Sequence, residues 1–364
     1  MRRINPANEK AKRDYLLWLG ATGRKSRATL DQVAAAIDSF AGSTRHADFR
    51  TFRPEQAMSY KQRLAEQINP ATGKPLAKAT LHGRLTALKA FFEWLCREPG
   101  YRRIRYSDAA YFNLTANEAR IATAAREQKT PSLEQVLAVL EALPADTIVQ
   151  RRDRALIAFI LLTGVRNSAA ITLRLKHVDF ARGQISQDAR EVRTKGAKTV
   201  ESVFFPVGDV PHRIVGDWIA ELTGTLLFGP DDPLFPAARI GLDDEGRFLP
   251  VGLKREGLAS TAAVCAVFSK AFALAGLPYH GPHSLRRTLM RLAFALDLTP
   301  RELKAWSQNL SHAKVMTSLM SYGQLPFDEQ AGVMAGLGEA TMGQRSNEAL
   351  LRELADVVAR HGRA

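Results

Sequence analysis

Apolar residues recur at helical spacing through most of this chain. Ala11–Leu19 is a short amphipathic stretch, and Leu30, Val33, Ile37 and Phe40 continue the period with Thr29 in N-cap position. Pro54 is placed to open a third helix running to about Ile68, because its missing N–H is no loss in a first turn. Asn69-Pro70-Ala71-Thr72-Gly73-Lys74-Pro75 is dense in turn residues. Leu81, Leu85, Leu88, Phe91, Phe92 and Leu95 then mark one face of a long helix, whose other faces carry Lys78, His82, Arg84, Lys89 and Arg97. The pattern predicts a small bundle of four or five helices with a basic surface. Those basic residues suit either a solvated helix face or a DNA contact.

Residues 116–131 are polar and end in Lys129-Thr130-Pro131, which predicts a linker. Ser132 with Gln135 forms a capping box for the next helix. Arg151–Leu162 reads as a buried helix. Three short strands are expected at His177-Val178-Asp179-Phe180, Glu191-Val192-Arg193 and Val200–Val207, with turns at Ala181-Arg182-Gly183 and Lys195-Gly196-Ala197-Lys198. Gly229–Gly257 reads as a loop rich in Gly, Asp and Pro. Helices are expected near Thr261–Ala275, Ser284–Leu296 and Pro300–Ser307, the last with Thr299 as N-cap and Glu302 three residues on. A final amphipathic helix is expected at Glu348–Arg360. The expected fold class is mainly α with a small antiparallel β-sheet. Its divisions are a helical domain over 1–115, a linker over 116–131, a mixed domain over 132–342 and a tail over 343–364.

The chain has 364 residues, a length that suits two domains. Its formal net charge of +14 favours a polyanionic partner, a nucleic acid or an anionic membrane surface. Residues 1–130 hold 24 Lys and Arg against 12 Asp and Glu, so most of the excess lies in the helical first third. Binding of DNA there would weaken steeply with salt as counterions are released. Only Cys96 and Cys265 are present, which excludes a zinc finger or a disulfide framework and suits a reducing, cytoplasmic setting. The longest apolar run, Ala155 to Val165, is interrupted by Thr163 and Gly164 and is too short to span a membrane. Met1-Arg2-Arg3 is followed by no apolar stretch, so no signal peptide is expected.

Four segments draw attention as chemistry. Leu162-Thr163-Gly164-Val165-Arg166 ends a buried helix in glycine and then arginine. Lys195 sits in a turn between strands. His283-Ser284-Leu285-Arg286 sets a histidine and an arginine three residues apart at a helix start. Asn309-Leu310-Ser311-His312 is followed ten residues after its histidine by Tyr322. Taken singly, each has a bland reading: a surface cap, a turn lysine, a structural histidine, a packing tyrosine.

As an ordered set, these residues resemble the tyrosine recombinase (phage integrase) family over nearly the whole chain. The family's first catalytic arginine lies in a Thr-Gly-x-Arg segment, matching Arg166. Its hairpin lysine matches Lys195, its His-x-x-Arg box His283 and Arg286, its Leu-Gly-His box Leu310-Ser311-His312, and its nucleophile Tyr322. Three positions depart from the pattern: Ala169 where an acidic residue is frequent, Ser311 where glycine is usual, and ten residues from His312 to Tyr322 where nine are common. The resemblance implies a SAM-like helical core-binding domain and a mixed α/β catalytic domain that together clamp double-stranded DNA.

The resemblance also implies a reaction. Two guanidiniums, Arg166 and Arg286, would hold the non-bridging phosphate oxygens in bidentate geometry, with a further bond from His312. Tyr322 would attack to form a 3′-phosphotyrosyl bond, with His283 as base and Lys195 as acid on the 5′-oxygen. No cofactor or metal is expected. Strand exchange through a Holliday junction would proceed in a homotetramer on two duplexes, with or without an accessory or partner recombinase, at the nucleoid and away from membranes. Arg287 is a further candidate for DNA contact. Two rivals remain open: a DNA relaxase like type IB topoisomerase, and a DNA-binding protein with a decayed active site. The tail residues Leu350, Leu354, Val357 and Val358 could cover the chain's own domain or dock on a neighbouring subunit.

Overall fold

The computed structural model describes residues 4–23, 25–70, 72–124, 130–242, 245–296, 298–311 and residue 332. It divides into two compact units, Met1–Arg126 and Glu127–Ala364. His312, Tyr322 and the expected helix Glu348–Arg360 lie outside the described residues.

The first unit is built from α1 (Pro6–Gly23), α2 (Arg27–Ser43), α3 (Pro54–Glu66), α4 (Lys78–Leu95) and α5 (Ala116–Thr123). The N-cap of α2 is Ser26, whose hydroxyl accepts the Thr29 amide, so Thr29 lies inside the helix where it was expected to cap it. Pro54 does open α3. The segment expected as linker contains α5, started by a reciprocal Thr115–Glu118 capping box and packed on α4 through the buried Ala122. An aromatic core holds the bundle together. Phe40 meets Tyr60, Phe92, Phe112 and Phe52 edge-on, with centroids 5.4 to 6.0 Å apart. Buried Asn8 ties α1 to the loop before α3, donating to the Ala47 carbonyl and accepting the Phe49 amide.

The second unit surrounds α7 (Ile148–Thr163), in which every residue from Ala155 to Thr163 is buried. A helical stretch apolar on every side, as 155–162 is, belongs at the centre of a domain. Around it lie α6 (Leu133–Ala142), the short α8 (Asn167–Ala170), α9 (Asp209–Ala220), α10 (Thr261–Leu274), α11 (Pro282–Ala295) and α12 (Pro300–Asn309). The expected capping boxes form at Ser132–Gln135 and Thr299–Glu302, and a further one at Thr147–Gln150 starts α7. Among the described residues, no helix is long and apolar enough to cross a membrane.

The sheets differ from expectation in two places. The first is β1 (Val178–Asp179), β2 (Gln184–Gln187) and β3 (Val200–Val203), antiparallel in that order. Glu191–Arg193, expected as the middle strand, is a turn. The Asp188 carbonyl accepts the Glu191 and Val192 amides, and the Glu191 carboxylate is drawn to Lys176 and His177. Local side-chain bonds here defeat strand propensity. The expected strand Val200–Val207 stops at Val203, and the Phe205 amide turns in to the Leu162 carbonyl. The second departure is at Gly229–Gly257, expected as a loop. It contains a two-stranded hairpin, β4 (Pro236–Leu242) and β5 (Phe248–Gly257), joined with register shifts that its Gly and Pro residues accommodate.

Candidate active site

Gly164 ends α7 in the left-handed conformation, φ +62°, and reverses the chain toward Arg166. A side chain at Gly164 has no room. A Cβ there would lie 2.6 Å from Leu310, 3.1 Å from Phe205 and 3.2 Å from Leu289. Three separate stretches thus meet at one backbone position. Arg166 follows half-buried as the N-cap residue of α8.

Arg286 joins the same stretches by hydrogen bonds. It is 2% exposed, and its guanidinium donates to the Gly164 carbonyl through Nη1 and to the Leu310 carbonyl through Nη2. One side chain therefore holds the Thr163–Arg166 turn to the Leu310–Ser311 turn. A guanidinium offers five N–H donors in a planar fork, so one side chain can serve two carbonyls at once. Arg287, beside it, is the more open of the pair.

Lys195 is exposed in the connection between β2 and β3, where Gly196 and Ala197 both have positive φ. Buried Val192 anchors this connection, and the Arg193 amide donates to Thr172 Oγ1 at 3.0 Å. His283 sits in the first turn of α11. Desolvation, and then the positive charges of Arg286, Arg287, Arg166 and Lys195, push its imidazole down to about 4 from 6.5. The residue is open to solvent on one side, so the four cations are the part of this shift that a bound phosphate would cancel. A histidine held neutral can accept a proton.

The sign of the pH dependence follows. Between about 4 and 6.5 His283 is neutral when folded and charged when unfolded. It adds no pH dependence above 6.5 and lowers stability as pH falls from there. NMR titration of the free protein is expected to place its midpoint near 4, and Arg287→Ala to move it upward. A midpoint at 6.5 or above would show that the field is absent.

Two sequence departures acquire a physical meaning. Ser311, where glycine is usual, has φ +58°, a conformation glycine adopts freely and serine at a cost of about 1 kcal/mol. Ala169 is 1% exposed within the apolar core. Of the basic residues on α4, Lys78, His82 and Lys89 share a stripe by their spacing. Arg84 turns the other way, donating to Gln67 after α3. Asn309 had no role in the pattern, yet its side-chain amide bonds both backbone groups of Val203. An asparagine at a helix end gives no signal in sequence that it reaches a strand 106 residues away. Among the described residues, no group of three or more His, Cys, Asp or Glu converges as a metal site would require.

No family model matches the chain. The tyrosine recombinase XerC of Chromobacterium violaceum is 25% identical over 288 residues, covering 77% of this chain and 82% of that one. The tyrosine recombinase XerC of Azotobacter vinelandii is 24% identical over 249 residues, covering 68% and 70%. Among solved structures, a lambda integrase dimer bound to a COC′ core site is similar in fold, with a TM-score of 0.59, 16% identity and coverage of 87% of this chain and 98% of that one. The XerH site-specific recombinase bound to palindromic difH substrate has a TM-score of 0.57 at 18% identity, covering 84% and 78%. Over most of its length the chain is similar in sequence to tyrosine recombinases and in fold to a lambda integrase.

Proposed function

We propose that this protein is a site-specific DNA recombinase that cuts and rejoins duplex DNA through a 3′-phosphotyrosyl bond on Tyr322. The observation that carries the reading is the junction made by Arg286, which bonds the Gly164 and Leu310 carbonyls and so ties the turn before Arg166 to the turn before His312. Arginines at such a junction suit a phosphodiester under attack, whose charge grows in the transition state. Arg166 and Arg286 take the non-bridging oxygens, with His312 as a further donor. Tyr322 Oη forms its bond to phosphorus as the P–O5′ bond breaks. Its proton passes to His283, and Lys195 gives a proton to the departing 5′-oxygen. The bond energy is kept in the phosphotyrosyl ester, so rejoining is the same step in reverse with a 5′-hydroxyl as nucleophile. Exchange of strands between two duplexes passes through a Holliday junction in a tetramer at the nucleoid. The basic helical unit supplies the grip on DNA, with Lys78, His82 and Lys89 on one stripe of α4.

The test is covalent capture. Duplexes bound most tightly from a random pool are rebuilt with a nick beside the cut, so that the cleaved end diffuses away. A denaturation-resistant adduct is expected, and peptide mapping should place it on Tyr322. No adduct, or one on another residue, overturns the reading. Exchange between two duplexes, against relaxation of one, separates a recombinase from a topoisomerase-like relaxase.

A further inference from the structure

Asn309 is the last residue of α12, and its side chain reaches across to β3. Its Oδ1 accepts the Val203 amide at 2.7 Å, and its Nδ2 donates to the Val203 carbonyl at 2.8 Å. Among the described residues β3 is an edge strand, paired with β2 on one side only. On that inner side the Phe204 amide donates to the Gly183 carbonyl. In an antiparallel strand the N–H and C=O of one residue point the same way, and the next residue's point oppositely. Those of Val203 therefore face out of the sheet, where no strand follows among the described residues. A primary amide presents there the same acceptor and donor that a further strand would. Aspartate keeps only the acceptor, and leucine keeps neither.

Both ends of this link lead to candidate catalytic groups. β3 is the return leg of the hairpin whose connection carries Lys195, eight residues before Val203. On the other side, Leu310 and Ser311 follow Asn309 directly, with the Leu310 carbonyl held by Arg286 and His312 next in sequence. Trp306, one turn earlier on α12, packs on Phe205 at 4.9 Å, so the same helix seats twice on the same stretch of chain. The tip of the hairpin, from Lys195 to Thr199, is exposed throughout and has little packing of its own to set its place.

We propose that Asn309 is a positioning residue that holds the Lys195 hairpin in register with the turn leading to His312. The inference rests on reading Lys195 as the acid that protonates the departing 5′-oxygen. A group that acts through a placed lysine should matter only when the leaving oxygen needs a proton.

The experiment compares nicked duplexes with oxygen or sulfur at the bridging 5′ position. A thiol has a pKa of about 8.5 and leaves as a thiolate without an acid, whereas an alkoxide does not. Asn309→Ala and Asn309→Leu are expected to form adduct about 100-fold more slowly on the oxygen duplex. Most of that loss should be recovered on the sulfur duplex, as in Lys195→Ala. Asn309→Ala added to Lys195→Ala should cost less than about threefold more, because both act through one group. Equal losses on both duplexes, or no loss on the oxygen duplex, overturn the proposal. If Lys195→Ala itself shows no sulfur recovery, the acid reading fails, and the clamp is judged by hydrogen exchange of residues 188–203. Exchange at least about tenfold faster in Asn309→Ala supports the clamp, and unchanged exchange overturns it.

Discussion

Arg286→Ala is expected to slow adduct formation by about 10³-fold or more while lowering the stability of residues 127–364 by only about 2 kcal/mol. The two effects have different sizes for a physical reason. The substitution strips donors from two carbonyls, those of Gly164 and Leu310, each worth about 1–3 kcal/mol if left buried and unpaired. Against this, it removes a charge that is 2% exposed and costly to bury, and the space left can admit water to the carbonyls. The stability terms partly cancel. The catalytic terms do not. Loss of a charged donor at the phosphate and loss of the link between the Arg166 turn and the turn before His312 both raise the barrier, by about 4 kcal/mol for a 10³-fold effect. Arg286→Lys should recover little, because one ammonium cannot span two carbonyls and a phosphate in fork geometry. Denaturant titration and a time course of adduct formation check both halves. A variant that cleaves at the parental rate removes Arg286 from the site.

Gly164→Ala is expected to destabilise the same unit by about 2–4 kcal/mol and to lower cleavage with it. The left-handed backbone accounts for roughly 1 kcal/mol of this. The rest is overlap, since the added methyl would stand 2.6 Å from Leu310 Cδ2 with Phe205 and Leu289 close behind. Those neighbours are themselves buried and have nowhere to go. Relief by shifting the turn would move the Gly164 carbonyl away from Arg286 and carry Arg166 with it. Denaturant unfolding monitored at the buried Trp218 and Trp306 reads the loss. A variant within about 0.5 kcal/mol of the parent would show that the turn is not tightly enclosed.

Much of this arrangement is legible in the sequence. Thr299-Pro300-Glu302 and Ser132-Gln135 state their helix starts outright, because capping is a contact among residues three apart. Gly164 after a run of apolar residues announces a helix end for the same local reason. Where local signals competed, the reading failed. Val192 between charged neighbours looks like a strand, but Asp188, Lys176 and His177 bend Glu191–Arg193 into a turn. The Gly and Pro residues of Gly229–Gly257 look like loop, but pairing of β4 with β5 tolerates them through register shifts. Serine seldom adopts the positive φ of Ser311, and only the glycine usual at that place in the resembling pattern hints at it.

The sequence by itself determined the helical periods, the caps, the basic character of residues 1–130 and the residue types available for chemistry on a phosphate. These follow from side chains acting on their own backbone, or from charge that needs no geometry. Tertiary structure alone decided that Gly164, Arg286 and Leu310, up to 122 residues apart from donor to acceptor, share one hydrogen-bonded junction. It decided that Asn309 completes the edge of β3. Such contacts depend on how α7, α11 and α12 pack around one core. Packing is a property of the whole unit's shape and volume, and no window of residues contains it.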